Sequence, residues 1–255
     1  MNKNQRLKEI VNILRRRNVV NIKELTAKLH ASDMTIRRDL NLLAEDSIVE
    51  LIPGGAIFKP PIESEEKYFV THEETVRTRE KLKIGQKAAS LIEPNDTVII
   101  DIGSTSEYAA KFMREDVPVT VLCFTLNILS EIYRKKNCAI IFAGGYYHPE
   151  TMMFESPEGI ELIKRTRADK AFVSAAGIHL DLGVTTVYPH ELQTKKAILG
   201  SAKTRILVVD SSKFGKIKSV YFAELANFQV LITDDQIPDA FARAVQDLGI
   251  RLIVV

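Results

Sequence analysis

The chain opens with apolar positions at helical spacing. Leu7, Ile10, Val11 and Leu14 recur every three to four residues and predict a helix over 4–17. Val19 and Val20 read as a short extended piece. Asn21 stands where it can cap a second helix over 22–29, with Leu25 and Leu29 turned inward. His30 and Ala31 make a turn, and a third helix starts at Ser32, whose hydroxyl can accept from an amide of the first turn. Asp33 places negative charge near the positive end of that helix dipole. Ile36, Leu40 and Leu43 form one apolar face, and Thr35, Arg37, Arg38 and Asn41 lie off it. Helix, helix, tight turn, helix is a helix-turn-helix. Two β-type runs over 47–58 flank Pro53, Gly54 and Gly55, which predicts a hairpin placed as a wing.

Residues 59–77, with Pro60, Pro61, Glu63, Glu65 and Glu66, read as a linker. A helix follows over 78–92, with Leu82, Ala89 and Ile92 on its inner face. The pattern then changes. Short apolar runs at 98–101, 119–124, 139–143, 170–175, 206–210, 230–233 and 252–255 predict strands. Amphipathic stretches at 106–115, 126–136, 159–166, 189–203 and 238–248 separate most of them. Buried strands alternating with helices indicate an α/β domain with a mainly parallel sheet. The expected organisation is therefore a winged helix-turn-helix over 1–58, a linker over 59–77 and an α/β domain over 78–255.

Composition sharpens this picture in one place. The net charge of +2 is uninformative as a whole, but residues 1–60 carry 11 Lys/Arg against 7 Asp/Glu, while 61–255 carry 24 against 26. The basic excess lies in the N-terminal quarter, where a polyanion is the expected partner. In that quarter the candidate DNA contacts are Ser32, Met34, Thr35, Arg37, Arg38 and Asn41, with Arg15, Arg16, Arg17, Gly54 and Gly55 beside them. Arg can pair bidentately with guanine or neutralise phosphate. Taken alone, the same helix also reads as a surface helix with a solvated Arg pair, and Arg15 to Arg17 also suit the negative end of their own helix. The start has no signal-peptide pattern, and no apolar run is long enough to span a membrane, so the expected location is the cytoplasm. Cys123 and Cys138 read as small core residues rather than a disulfide, and no metal-ligand spacing or cofactor motif is seen.

Ligands of open α/β sheets bind beyond the carboxyl ends of the strands. After the first strand stand Asp101, Gly103, Ser104, Thr105 and Ser106, a glycine and three hydroxyls opening a helix, which suits an oxyanion such as phosphate. A capped turn without a ligand is the plainer reading of that stretch. Later strand ends supply Thr125, Asn127, Gly144, Gly145 and Gly177. Asp181 and Glu191 could accept sugar hydroxyls, and Lys195 and Lys213 complete the candidate set, with Lys213 able to offset phosphate charge.

Thr35-Ile36-Arg37-Arg38-Asp39-Leu40 followed by Pro53-Gly54-Gly55-Ala56 resembles the DeoR-type family of bacterial sugar-metabolism repressors. The chain departs from that family's pattern at Ser47, where Gly is frequent, and at Leu51, where Arg is frequent. The second departure takes a basic residue out of the wing. The resemblance covers nearly the whole chain. It implies a ribose-5-phosphate isomerase-like effector domain, double-stranded operator DNA and a phosphorylated sugar as partners, and a homo-oligomer. A finer likeness at 123–127, 174–179 and 207–216 implies deoxyribose 5-phosphate as the effector. An active sugar-phosphate isomerase or deaminase is the alternative. Against it, the resembled deaminases place Asp, Gly and His consecutively after the fourth strand, whereas this chain has Asp181-Leu182-Gly183 and its His179 comes first. No catalytic residue is therefore expected.

Overall fold

The computed structural model describes residues 3–17, 19–45, 49–52, 54–58, 69–70 and 76–255. They fall into two compact units, Met1–Lys67 and Tyr68–Val255.

The first unit runs α1 (Lys3–Arg17), β1 (Val19–Asn21), α2 (Ile22–Leu29), α3 (Asp33–Glu45), β2 (Val49–Ile52) and β3 (Gly55–Phe58). The capping residues behave as their chemistry dictates. Asn21 accepts from the Lys23 amide at 2.9 Å, and Ser32 Oγ accepts from the Thr35 amide at 3.2 Å. His30 closes α2 in the left-handed conformation, φ 49°. Ile36, Leu40 and Leu43 are buried with Ile10, Leu14, Val20, Leu25 and Ala56 in one core. Val19 and Val20 do more than extend the chain. As β1 they pair antiparallel with β3, which also pairs with β2, giving a three-stranded sheet in the order β1-β3-β2. The two wing glycines have backbone reasons. Gly54 has φ +82°, and a Cβ on Gly55 would lie 2.1 Å from the Val20 carbonyl oxygen of β1.

Asp39, in the middle of the Arg-Arg-Asp-Leu run, is buried, and Arg6 of α1 grips it through Nε at 2.5 Å and Nη2 at 3.2 Å. This two-point contact ties α1 to α3. The side chains of Arg15, Arg16 and Arg17 lie outside the described residues, as do Ser47 and Pro53.

The second unit is built on a seven-stranded parallel sheet in the order β15-β14-β12-β9-β4-β5-β6. Its strands are β4 (Thr97–Ile100), β5 (Val119–Cys123), β6 (Cys138–Phe142), β9 (Ala168–Val173), β12 (Ala202–Val208), β14 (Val230–Thr233) and β15 (Arg251–Val254). The helices are α4 (Thr78–Ala89), α5 (Ser104–Phe112), α6 (Leu126–Ile132), α7 (Pro157–Arg165), α8 (Glu191–Ser201) and α9 (Asp239–Asp247). Two apolar clusters hold the layers together. One contains Ile99, Leu122, Val173, Ile198 and Leu207, the other Ile84, Val98, Ala109, Val121 and Ile206. Neighbours along a strand fall in different clusters, as expected for a sheet covered on both faces.

All seven expected strands are in this sheet, Val230–Thr233 with the expected ends and the others shifted by one or more residues. The helix expected over 189–203 ends at Ser201, and β12 starts at Ala202 because it pairs with Ala168 at the start of β9. Strands not expected from the sequence pattern also appear. β7 (Tyr146–His148) and β8 (Met153–Glu155) form a hairpin, and β10 (Gly177–His179), β11 (Gly183–Thr186) and β13 (Val220–Ala223) form a second small sheet.

From β4 the chain adds β5 and β6 on one side. It then returns to place β9 on the other side of β4 and continues outward through β12, β14 and β15. The direction of winding thus reverses between β4 and β9, and this switch point is where an open sheet leaves a crevice at its carboxyl edge.

Asp39→Asn should cost the first unit on the order of 1–3 kcal/mol, since a buried charge-assisted pair is broken. Amide exchange in α1 and α3 of the full chain should quicken while exchange in the seven-stranded sheet stays as it was. Unchanged protection in α1 and α3 would show that the Arg6–Asp39 contact holds nothing.

Candidate functional site

Two surfaces carry chemistry, one in each unit. In the first, Met34, Arg37, Arg38 and Asn41 are exposed on α3, opposite the buried Ile36, Leu40 and Leu43. Ser32 and Thr35 are partly spent on the helix start, their hydroxyls lying 2.8 Å apart. Arg37 Nε pairs with Asp33 at 3.3 Å across one exposed turn. On the wing, Gly54 and Leu51 are exposed, whereas Gly55 is buried and offers no surface. Its place in the sequence pattern follows from its closeness to β1.

The second surface lies at the switch point. Gly103, φ +130°, turns the end of β4 into α5, and a Cβ there would stand 2.8 Å from Ser174 Oγ at the end of β9. Ser104, Thr105 and Ser106 are buried in the first turn of α5, where the backbone amides have no intrahelical partner. Thr125 and Asn127 are buried at the matching start of α6, and Asn127 Nδ2 donates to Glu107 at 2.9 Å. Asp101 Oδ1, Ser106 Oγ, Thr125 Oγ1 and Asn127 Oδ1 are buried without a hydrogen-bond partner among the described residues. Each such group costs roughly 1–3 kcal/mol unless something polar meets it, so four at adjoining strand ends call for a polar guest.

Beneath them lies a charged group. Lys195 of α8 is buried, and its Nζ donates to Asp101 Oδ2 at 2.5 Å and to the Ser174 carbonyl at 3.0 Å. It also lies 3.9 Å from Glu191 Oε2 and 4.9 Å from the Phe222 ring centroid. Glu191 accepts from the Thr186 hydroxyl and from the Tyr188 amide. Burial pushes the Asp101 and Glu191 carboxyls up from their ordinary values, against the pull of the Lys195 ammonium. Glu191 and Lys195, expected in the ligand site, are buried and bonded to neighbouring protein groups.

The remaining expected residues have other employment. Gly144 accepts from Ser156 Oγ at 2.9 Å. A Cβ on Gly145 would meet the Glu155 carbonyl oxygen at 2.2 Å, and one on Gly177 the Lys216 carbonyl oxygen at 2.6 Å, so both permit close backbone approach. Asp181 is exposed in the β10–β11 turn beside His179 and does not join the buried set. Lys213 is half-buried in the 3-10 turn Ser211–Lys213 after β12.

Sequence reasoning missed three contributors. Ser174 links the ends of β4 and β9, its amide donating to Asp101 at 3.1 Å. Arg77, in the left-handed conformation just before α4, donates to Gln236 at 2.9 Å and Asp234 at 3.4 Å and lies 3.7 Å from Asp210. Burial would raise Asp234, but the Ser211 and Gln236 amides and the Arg77 charge hold it below its ordinary value. The third is a stack of His148 on His190, centroids 3.8 Å apart, which packs the β7–β8 hairpin against the approach to α8. Short hairpins and partners 73 or more residues apart leave no local signal.

Comparison with known proteins assigns the two units separately. Residues 6–61 match the DeoR-like helix-turn-helix domain, and residues 76–235 match the DeoR C-terminal sensor domain. The chain belongs to the DeoR family. The deoxyribose operon repressor of Escherichia coli is 30% identical over 249 residues, covering 98% of this chain and 97% of that one. The HTH-type transcriptional regulator GolR of Listeria innocua is 30% identical over 247 residues, 96% of each chain. Among solved structures, ribose 5-phosphate isomerase A of Methanocaldococcus jannaschii aligns over 52% of this chain and 53% of its own, at 15% identity and a TM-score of 0.38. Like other members of the DeoR family, the protein is a DNA-binding transcription regulator with a helix-turn-helix. Among the described residues, no helix is long and apolar enough to cross a membrane.

Because burial raises Glu191 above the ordinary value of 4.5, the folded state holds that proton more tightly than the unfolded chain. Stability is then lost as pH rises from about that value through the folded one. Glu191→Gln should gain on the parent protein as pH rises above 4.5 in urea unfolding and show no advantage below it. A pH-independent gap would mean that Glu191 keeps its ordinary affinity for the proton.

Proposed function

We propose that the protein is a repressor of a sugar or nucleoside catabolic operon, released from its operator when a phosphorylated sugar binds at the carboxyl ends of β4 and β5. The observation that carries this reading is the set of orphaned polar atoms on Asp101, Ser106, Thr125 and Asn127, gathered where β4 and β5 end and α5 and α6 begin. Hydroxyls and free amides at a helix start suit a phosphate. The uncommitted oxygens of Asp101 and Asn127 can accept from sugar hydroxyls. Deoxyribose 5-phosphate is the first candidate, since the E. coli relative is named for the deoxyribose operon. In this reading residues 1–58 bind DNA, and residues 78–255 sense the effector and hold a dimer or larger oligomer, because helix-turn-helix proteins read paired half-sites.

The reading as a regulator rather than an isomerase or deaminase rests on the relatives, which are named regulators, and on the charges at the site. A base for proton abstraction must be free to reach a substrate carbon. Glu191 is buried and engaged by Thr186 and Tyr188, so it is not free to act as such a base.

Thr105→Val should weaken sugar-phosphate binding, read as a smaller thermal shift across a panel of pentose and hexose phosphates, and leave effector-free operator affinity nearly intact. An unchanged shift would remove the α5 site from the account, and measurable turnover of any of the sugars would favour the enzyme. Arg38→Ala should cost operator binding about 1–3 kcal/mol and relax specificity at one position. Equal losses on operator and random DNA would make Arg38 a phosphate contact.

A further inference from the structure

Met34 is 81% exposed, more than any other large hydrophobic side chain among the described residues. It sits in the first turn of α3, on a face about 100° wide that it shares with Arg37, Arg38 and Asn41. Ile36, Leu40 and Leu43 point the opposite way into the core. A lone exposed apolar side chain is ordinary on a protein surface, but this one stands in the first turn of the helix-turn-helix's third helix, where base edges are met. The surrounding charge says what kind of molecule meets it. Two arginines flank Met34, and residues 1–60 carry 11 basic against 7 acidic side chains, so the partner is a polyanion.

We infer that Met34 reads a thymine. This rests on α3 being the helix that enters the major groove of the operator. The N-terminal residues of a recognition helix are those that meet base edges. Neighbouring groups at that end are already partly committed, Ser32 and Thr35 to each other and Arg37 to Asp33. A thioether makes only weak hydrogen bonds, and the apolar feature of major-groove base edges is the C5 methyl of thymine. The flexible, polarisable methionine side chain suits a small methyl target. Arg38 and Asn41, one and two turns further along, then supply the hydrogen-bonding part of the code, for guanine and adenine respectively.

The test begins with duplexes selected from a random pool by the full-length protein. Each thymine of the best duplex is then replaced in turn by deoxyuridine, which removes one methyl and keeps every hydrogen-bonding group. Binding of the parent protein should weaken about fourfold at one position per half-site, the worth of one buried methyl group. Met34→Ala should bind the thymine and deoxyuridine duplexes equally at that position, and Met34→Leu should retain the preference for thymine. The inference is overturned if every replacement is neutral for the parent protein, or if Met34→Ala remains equally sensitive. It is also overturned if Met34→Ala leaves DNA binding intact and changes only the oligomeric state, since the methionine then serves a second copy of the chain. A failure of the full-length protein to enrich any duplex has a different meaning, because it removes α3 as the DNA-reading helix and the proposed function with it.

Discussion

The buried ammonium of Lys195 organises the carboxyl edge of the large sheet. Lys195 joins α8 to the ends of β4 and β9, the two strands between which the winding reverses. Removing a charge from water is costly, and this one is held by a carboxylate at 2.5 Å, a carbonyl, a second carboxyl and an aromatic face. The arrangement fixes Asp101 through one oxygen and leaves the other uncommitted. A cleft whose polar groups are oriented before a ligand arrives loses less freedom on binding. In the proposed site Lys195 holds Asp101 and the end of β9 in place.

The smaller unit shows the same economy on a different scale. The Arg-Arg-Asp-Leu run divides its labour by helical geometry. Arg37 and Arg38 face out, Leu40 faces the core, and Asp39 is locked by Arg6. A charged residue inside a basic motif is thus a strut between α1 and α3 and not part of the binding surface. The wing divides in a similar way, since Gly55 serves the pairing of β3 with β1 and Leu51 presents an apolar side chain to solvent. Base reading in the proposed mechanism consequently falls on the outer face of α3.

Much of this was legible in the sequence because the relevant signals are local. Strands covered on both faces are nearly continuous apolar runs, which is why the seven strands of the parallel sheet stand out from 98 onward. The caps at Asn21 and Ser32 and the turn at Gly103 depend on residues within a few positions. What stayed hidden depends on distant partners. Lys195 looks like any helical lysine until Asp101, 94 positions earlier, is seen against it. Asp39 needs Arg6, and Arg77 needs Asp210 and Asp234. The strands Gly177–His179 and Gly183–Thr186 are too short and too polar for periodicity to mark. Asp181 lies in an exposed turn, and the sequence alone does not separate such a carboxylate from one in a cleft.

In the proposed mechanism the strand-end site and the DNA-reading helix exchange free energy. The most direct test of that exchange is equilibrium titration of the selected operator duplex at fixed salt, with and without a saturating sugar phosphate, together with the reverse titration. Linkage requires the sugar phosphate to weaken DNA binding and DNA to weaken sugar-phosphate binding by one common factor, on the order of 5- to 150-fold. Sugar-phosphate affinity that is the same in the presence and absence of operator DNA would contradict the account.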